Sequence, residues 1–459
     1  MTLALESAPE AEARPAGFSP RAAVARELAR AAGNALLLPA RVAGQLARHG
    51  ALARALAQDL AADQPVEEAP APRTLPARPL RLFVASAEAS GERHALRLIG
   101  ALRDELARLG ARPPEILALG GARTRALEVE TIGDPAARAA MGLAPLAALP
   151  YYARLLADTG ARLARFRPDL VVPVDSPALF VPLARVARAA GLRSAHLVAP
   201  QYWAWAPWRA RAYRQAFDLA LTILPFEPAW WRRHGMPTAH VGHPALDGLP
   251  PAPAPEDPRR RGLVLLPGSR AHVIARNLPW MLALARELHA RHPELPIVLA
   301  HEGPEHRARL EAAIAAAGAG GWVELAVGDL HAALARARAA LSVSGTVLID
   351  LLHQRLPAAV IYRVGRLASR AAPHALTVPW FSSVNLLAGA PVYWEACFHG
   401  EGPREAARAH LERALFEPAF RAANLAGLER AATRLGPRGA IERAARHLIL
   451  RAATPGGSG

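Results

Sequence analysis

One alternation constrains this chain more than anything else, and it occurs twice. Short, predominantly apolar runs are separated by longer segments of helical period, first at 80–85, 116–119, 170–174, 196–198 and 219–224, then at 263–266, 297–300, 339–343 and 358–362. Runs without strict polar alternation fit strands buried on both faces, the condition of a parallel sheet covered by helices. The expected fold class is therefore α/β, with two doubly wound units. A chain of 459 residues is long enough for two such cores and an appendage. The Pro-rich stretch at 249–258 marks the joint, and the strand C-termini of both units should face a shared cleft. The division read from this pattern is 1–79, a basic Ala/Arg-rich helical extension and linker; 80–248, the first unit; 249–436, the second; and 437–459, a closing helix and tail. Helices are predicted at 93–109, 405–415 and 441–450.

The extension has its own texture. Ser19-Pro20 is a helix start, a capping hydroxyl followed by a first-turn proline. A basic helical stretch runs to about Gly33, and the apolar run Leu36-Leu37-Leu38 is stopped by Pro39. Val42, Leu46, Leu56 and Leu60 then recur at near-helical spacing, flanked by Arg41, Arg48 and Arg54. Residues 64–79, rich in Pro, Ala and Glu, read as a linker. One reading makes this extension a surface-lying amphipathic helix on an anionic membrane. The other makes it a helical hairpin packed on the body or a mobile tail, and the Ala-rich face without Trp or Phe favours it.

The formal net charge is +16, and all 55 basic residues are arginine. They are spread along the chain with no dense block or interleaved aromatics, so no nucleic-acid footprint is present. Arginine pairs phosphate bidentately, which suits an anionic lipid surface or a phosphorylated substrate. The single cysteine, Cys397, excludes an internal disulfide and fits a reducing cytoplasm. The opening residues carry acids where a signal peptide carries positive charge, and no apolar run approaches the ~20 residues that span a bilayer. The expected location is cytoplasmic, with peripheral contact at the inner face of the inner membrane. No histidine pair has ligand spacing on a helical face and His243 stands alone, so neither a metal nor a cofactor is expected.

Five clusters can carry chemistry. Ser86-Ala-Glu-Ala-Ser-Gly-Glu92 follows the first run and opens a helix, where free amides suit phosphate or sugar hydroxyls and Glu88 and Glu92 suit hydroxyl binding or proton transfer. Pro267-Gly268-Ser269-Arg270 repeats that placement in the second unit, with an arginine able to neutralise a diphosphate. Ser344-Gly345-Thr346 ends another run, with Asp350 one helical turn on, near enough for a ribose diol; plain helix capping is the alternative. Asp175, after an apolar run, is a general-base candidate if burial raises its pKa, or a loop cap before proline. Tyr202-Trp203-Ala-Trp205 is either an acyl or sugar platform or an interdomain packing cluster.

Taken in order, EASG at 88–91, Met141-Gly142, PDxxVxxD at 168–175, WAW at 203–205, LPFEP at 224–228, VGHP at 241–244, LPGSR at 266–270, SGT at 344–346, YR at 362–363 and NLLAG at 385–389 resemble the lipid-A-disaccharide synthase family from about Leu80 to the last helix. The resemblance implies the GT-B architecture, two Rossmann-like domains with the active site between them. It implies an inverting, metal-free glycosyltransferase of lipid A biosynthesis. Such an enzyme moves 2,3-diacylglucosamine from UDP to 2,3-diacylglucosamine 1-phosphate, giving the β-1,6 disaccharide phosphate and UDP. It assigns Gly268, Ser269, Arg270, Ser344, Gly345, Thr346, Asp350, Asn385 and Glu395 to the UDP side. Glu88, Ser90, Gly91, Met141, Trp203 and Trp205 fall to the acceptor and acyl side, with Asp175 and Glu88 as catalytic candidates. A homodimer is left open.

The chain also departs from the family pattern. Ala87 replaces a glycine, Glu92 an aspartate, Val273 a glutamate, Asp350 a longer glutamate and Phe398 a glutamine. Ala178 stands where the family carries the aspartate usually regarded as catalytic. Either Asp175 substitutes, or the acceptor differs, or the chain is a weakly active or non-catalytic lipid-binding relative.

Overall fold

The structure, a computed structural model, describes residues 18–135 and 149–454. The first sheet contains β1 (Arg81–Ser86), β2 (Glu115–Leu119), β3 (Glu130–Thr131), β4 (Leu170–Val174), β5 (Ala195–Leu197), β6 (Leu219–Thr222) and β7 (Thr238–His240). They pair in parallel in the order β3-β2-β1-β4-β5-β6-β7. The second contains β8 (Gly262–Leu266), β9 (Ile297–His301), β10 (Val323–Val327), β11 (Ala337–Val343), β12 (Ala358–Arg363) and β13 (Trp394–Phe398), all parallel, in the order β10-β9-β8-β11-β12-β13. The expected two parallel sheets are both present.

The pleat explains why the inner runs are apolar on both faces of the sheet. Leu82 and Val84 face one layer, with Leu98 and Leu102 of the helix Ala89–Arg108 and Leu448 and Ile449 of the helix Ala440–Ala453. Phe83 and Ala85 face the other, against Leu156, Leu163 and Phe180. The closing helix therefore returns to the first sheet, and Asp247 caps it by accepting Gly439 N at 2.7 Å and Ile441 N at 2.8 Å. Between the units, one apolar cluster joins Trp203, Phe226 and Trp231 to Leu348, Ile349 and Leu386.

In each sheet the strand order reverses once, between β1 and β4 and between β8 and β11. A loop pair opens at the strand C-termini at each reversal, the place where open α/β sheets bind ligands. The loops after β1 and β4 carry Glu88–Gly91 and Asp175. Those after β8 and β11 carry Gly268–Arg270 and Ser344–Thr346.

The extension folds as two helices, Pro20–Leu36 and Leu38–Leu60. Ser19 Oγ caps the first by accepting Ala22 N at 3.3 Å. Pro39 does not end the leucine run as expected, because it sits in the first turn of the second helix, where its missing N–H costs nothing. Ala23 and Val24 enter the core over Phe83, and Leu56 enters the inter-unit cluster. Residues 64–79 are not a free linker. Glu67 N donates to His240 O at 2.7 Å, His240 Nδ1 donates to Gln64 O at 2.9 Å, and Arg446 pairs with Glu68 at 2.6 Å.

Candidate active site

Asp175 ends β4 with φ 59°, followed by Ser176 at φ 46°. Two successive non-glycine residues in the left-handed region store strain that the surroundings must hold. The holding is visible. Asp175 N donates to Leu197 O at 2.9 Å, and His196 Nε2 donates to Asp175 O at 2.8 Å. That bond leaves His196 Nδ1 without a proton, so Tyr213 OH donates to it at 2.9 Å. Burial pushes the His196 pKa down to about 4, which keeps the ring neutral in this arrangement. Gly91 completes the fit, since a Cβ there would lie 3.2 Å from Val174 O. The Asp175 carboxyl is pushed up, first by burial and then by the negative charge of Glu88, with Arg270 opposing.

Glu88 reaches across the cleft to ion-pair with Arg270. A second pair, Arg93 with Glu302, spans the same gap. Asp350 faces Arg93, lies 3.9 Å from His331 Nδ1, and is pushed up to about 6 by burial. The structure thus brings Glu88, Asp175, Arg270 and Asp350 to one cleft. Ser90 is half-buried on the first wall. On the second, Ser269, Arg270, Gly345 and Thr346 are exposed, with Gly268 and Ser344 half-buried. Gly268 adopts φ 101°, and a Cβ would strike Val273 at 2.8 Å. Thr346 begins the helix Val347–His353 without a side-chain capping bond.

Other expected residues are used differently. Asn385 donates through Nδ2 to Tyr393 O at 2.9 Å and to Glu395 Oε2 at 3.0 Å, and its Oδ1 accepts Tyr393 N at 2.8 Å. Glu395 also accepts Phe381 N at 2.8 Å and Ser382 N at 3.0 Å. These two brace the 381–395 loop. Glu92 accepts Gly121 N at 2.9 Å and Thr124 Oγ1 at 3.0 Å, a buried clamp that removes it from proton transfer. Trp203 is core, while Trp205 is exposed beneath the Arg209 guanidinium at 4.9 Å. Met141 lies outside the described residues.

Sequence reasoning missed three features. His196 and Tyr213 are 17 residues apart and meet only in the fold. Glu227, inside the LPFEP motif but given no role, accepts Ile223 N at 2.9 Å, Leu224 N at 3.1 Å and Trp203 Nε1 at 3.2 Å, and burial lifts it to about 7. His301, Glu305 and His306 have ligand-type atoms within 4.8 Å of one another beside the second loop pair, with His306 Nε2 donating to Ser269 O at 3.1 Å. Their spacing escapes a search restricted to helical faces.

Residues 82–417 match the family model described as Lipid-A-disaccharide synthetase. A lipid-A-disaccharide synthase of Myxococcus xanthus is 33% identical over 382 residues, 81% of this chain and 97% of the relative. One of Azotobacter vinelandii is 34% identical over 322 residues, 68% and 83%. Among solved structures, the MnaA–UDP co-structure of S. aureus aligns with TM-score 0.53 at 13% identity, covering 79% of this chain and 94% of that one. UDP-GlcNAc 2-epimerase of Neisseria meningitidis bound to UDP-GlcNAc aligns with TM-score 0.52 at 11% identity, covering 81% and 98%. At such identities these two speak for the fold alone. Motif order, cleft and relatives agree, and this chain belongs to the lipid-A-disaccharide synthase family.

Proposed function

We propose that this chain is an inverting hexosyltransferase of lipid A assembly. It transfers 2,3-diacylglucosamine from UDP to the 6-hydroxyl of 2,3-diacylglucosamine 1-phosphate. The observation that carries this reading is the meeting of both switch-point loop pairs at one cleft, with Glu88 paired to Arg270 across it and the strained Asp175 behind. Arg270 exchanges Glu88 for the donor diphosphate, helped by the amides and hydroxyls of Ser344–Thr346. Asp350 takes the ribose. Asp175 accepts the proton of the 6-hydroxyl as that oxygen bonds to the anomeric carbon and the bond to UDP breaks. The raised pKa of Asp175 improves it as a base at neutral pH. Glu88, released from Arg270, orients the acceptor. The protein works peripherally at the inner face of the inner membrane, and no helix among the described residues is long and apolar enough to cross a membrane.

Incubating the purified chain with both lipid substrates should yield disaccharide phosphate and UDP; production of neither sinks the reading. Ala178, exposed in the first turn after Asp175, favours an attenuated enzyme or a different acceptor as the second reading. A large rate increase from Ala178→Asp identifies attenuation, and UDP-sugar binding without turnover identifies a changed acceptor.

A further inference from the structure

The family match spans residues 82–417, and the helical hairpin lies before it. Its base is tied down. Glu27 pairs with Arg185 at 3.0 Å, Asp59 pairs with Arg233 at 2.5 Å, and Gln45 Nε2 donates to Ala375 O at 2.6 Å. Its tip is not packed against the described body. Leu36, Leu37 and Leu38 are 83%, 53% and 45% exposed. Val42 and Leu46 continue from Leu38 along one stripe at i, i+4, i+8, also exposed. With Leu28 they make up most of the exposed large hydrophobic side chains among the described residues, gathered in one place. Scattered surface leucines need no explanation, but a contiguous apolar tip does.

Charge says what covers it. Between Glu27 and Asp59 there is no acidic residue, while Arg30, Arg41, Arg48 and Arg54 all fall in that interval. Arg41 and Arg48 are exposed or half-buried around the apolar tip, Arg30 nearby pairs with Glu27, and Asn34 accepts from Arg41 at 2.7 Å, holding the two helices together there. An apolar wedge flanked by the guanidinium groups of Arg41 and Arg48, with no acidic residue between Glu27 and Asp59, complements a bilayer with anionic phosphates over an acyl interior. A protein partner would have to supply both a dry pocket and a ring of acids.

We propose that the hairpin tip, Leu36–Leu38 with Val42 and Leu46, inserts among the lipids of an anionic bilayer, with Arg41 and Arg48 on lipid phosphates. This deepens the peripheral-membrane part of the function proposed above and rests on it. The surface-lying helix considered from the sequence is replaced by a wedge that enters tip first, because the inner faces of both helices are already packed on the body.

Flotation of the full chain tests this with vesicles of phosphatidylcholine alone and of phosphatidylcholine mixed with phosphatidylglycerol. Binding to the mixed vesicles should exceed binding to the neutral ones and weaken as salt rises. The combined Leu36→Ser, Leu37→Ser, Leu38→Ser variant should lose roughly tenfold or more in binding. Arg41→Gln with Arg48→Gln should lose roughly tenfold on mixed vesicles only. Leu37→Trp should show a blue shift of its emission with mixed vesicles. Equal binding to both vesicle types overturns the proposal, as does a serine variant that floats like the parent. It also falls if the parent is a dimer in solution that the serine variant breaks, since the tip is then a self-association face. Transferase activity on detergent-dispersed substrates reads the proposed function separately, and neither variant should change it.

Discussion

The two switch points are built on the same topology and finished in opposite ways. At the first, the backbone is strained and then locked. Asp175 and Ser176 sit in the left-handed region, and the buried His196–Tyr213 pair grips the Asp175 carbonyl. At the second, Ser269, Arg270, Gly345 and Thr346 are exposed, and the strongest contact of Arg270 is with the opposite wall. The first is a site whose geometry exists before any ligand arrives. In the function proposed above, the second completes its contacts on the donor diphosphate. A proton acceptor needs fixed position more than accessibility, whereas a diphosphate site needs charge that can be redirected.

The comparison can be broken most decisively at its rigid half. Asp175→Asn should cut turnover roughly 10²–10⁴-fold with UDP affinity unchanged by calorimetry; retained turnover would move the base elsewhere. Arg270→Gln should do the reverse, weakening UDP binding roughly 10- to 100-fold through loss of charged hydrogen bonds while thermal stability holds. Tyr213→Phe leaves a buried imidazole nitrogen unsatisfied and should cost about 1–3 kcal/mol, seen as a lower thermal midpoint. If the pair acts as a grip on Asp175, turnover falls too while the KM for UDP-sugar stays put.

The smallest effect sharpens the other half. Asp350 has its pKa raised to about 6 from 3.8, so its ionisation is disfavoured in the folded state. Stability is therefore fullest below about pH 4 for this group and is lost as pH rises through about 6. Asp350→Asn should raise the thermal midpoint by a few degrees at pH 8 and leave it nearly unchanged at pH 4, with a matching loss of UDP affinity at the higher pH. An equal shift at both pH values would mean that packing, not charge, sets the cost.

What the sequence made legible follows the same physics. The inner strands were readable because burial on both faces keeps them predominantly apolar, with the few buried polar residues such as His196 hydrogen-bonded. The edge strands β3, β7, β10 and β13 were not, because one side of each is free to carry Glu130, Thr238, Glu324 or Glu395. The loops were readable because glycine and serine at a strand end leave few alternatives. The partnerships were not: nothing local says that Glu227 will clamp Trp203, or that Asn385 and Glu395 will spend their polar atoms on each other. Motif recognition found those residues but not their partners, since a shared residue type does not say which groups it will meet.

The closing helix has a mechanical consequence. Because Ala440–Ala453 returns to the first sheet, the polypeptide crosses between the units twice, near residue 250 and again near residue 437. Asp247, at the first crossing, grips the amides of Gly439 and Ile441 at the second, so the two crossings lie side by side. A single strap would let the halves twist in any direction. Two straps pinned together restrict that twist and fix the Arg270 loop opposite the Glu88 loop.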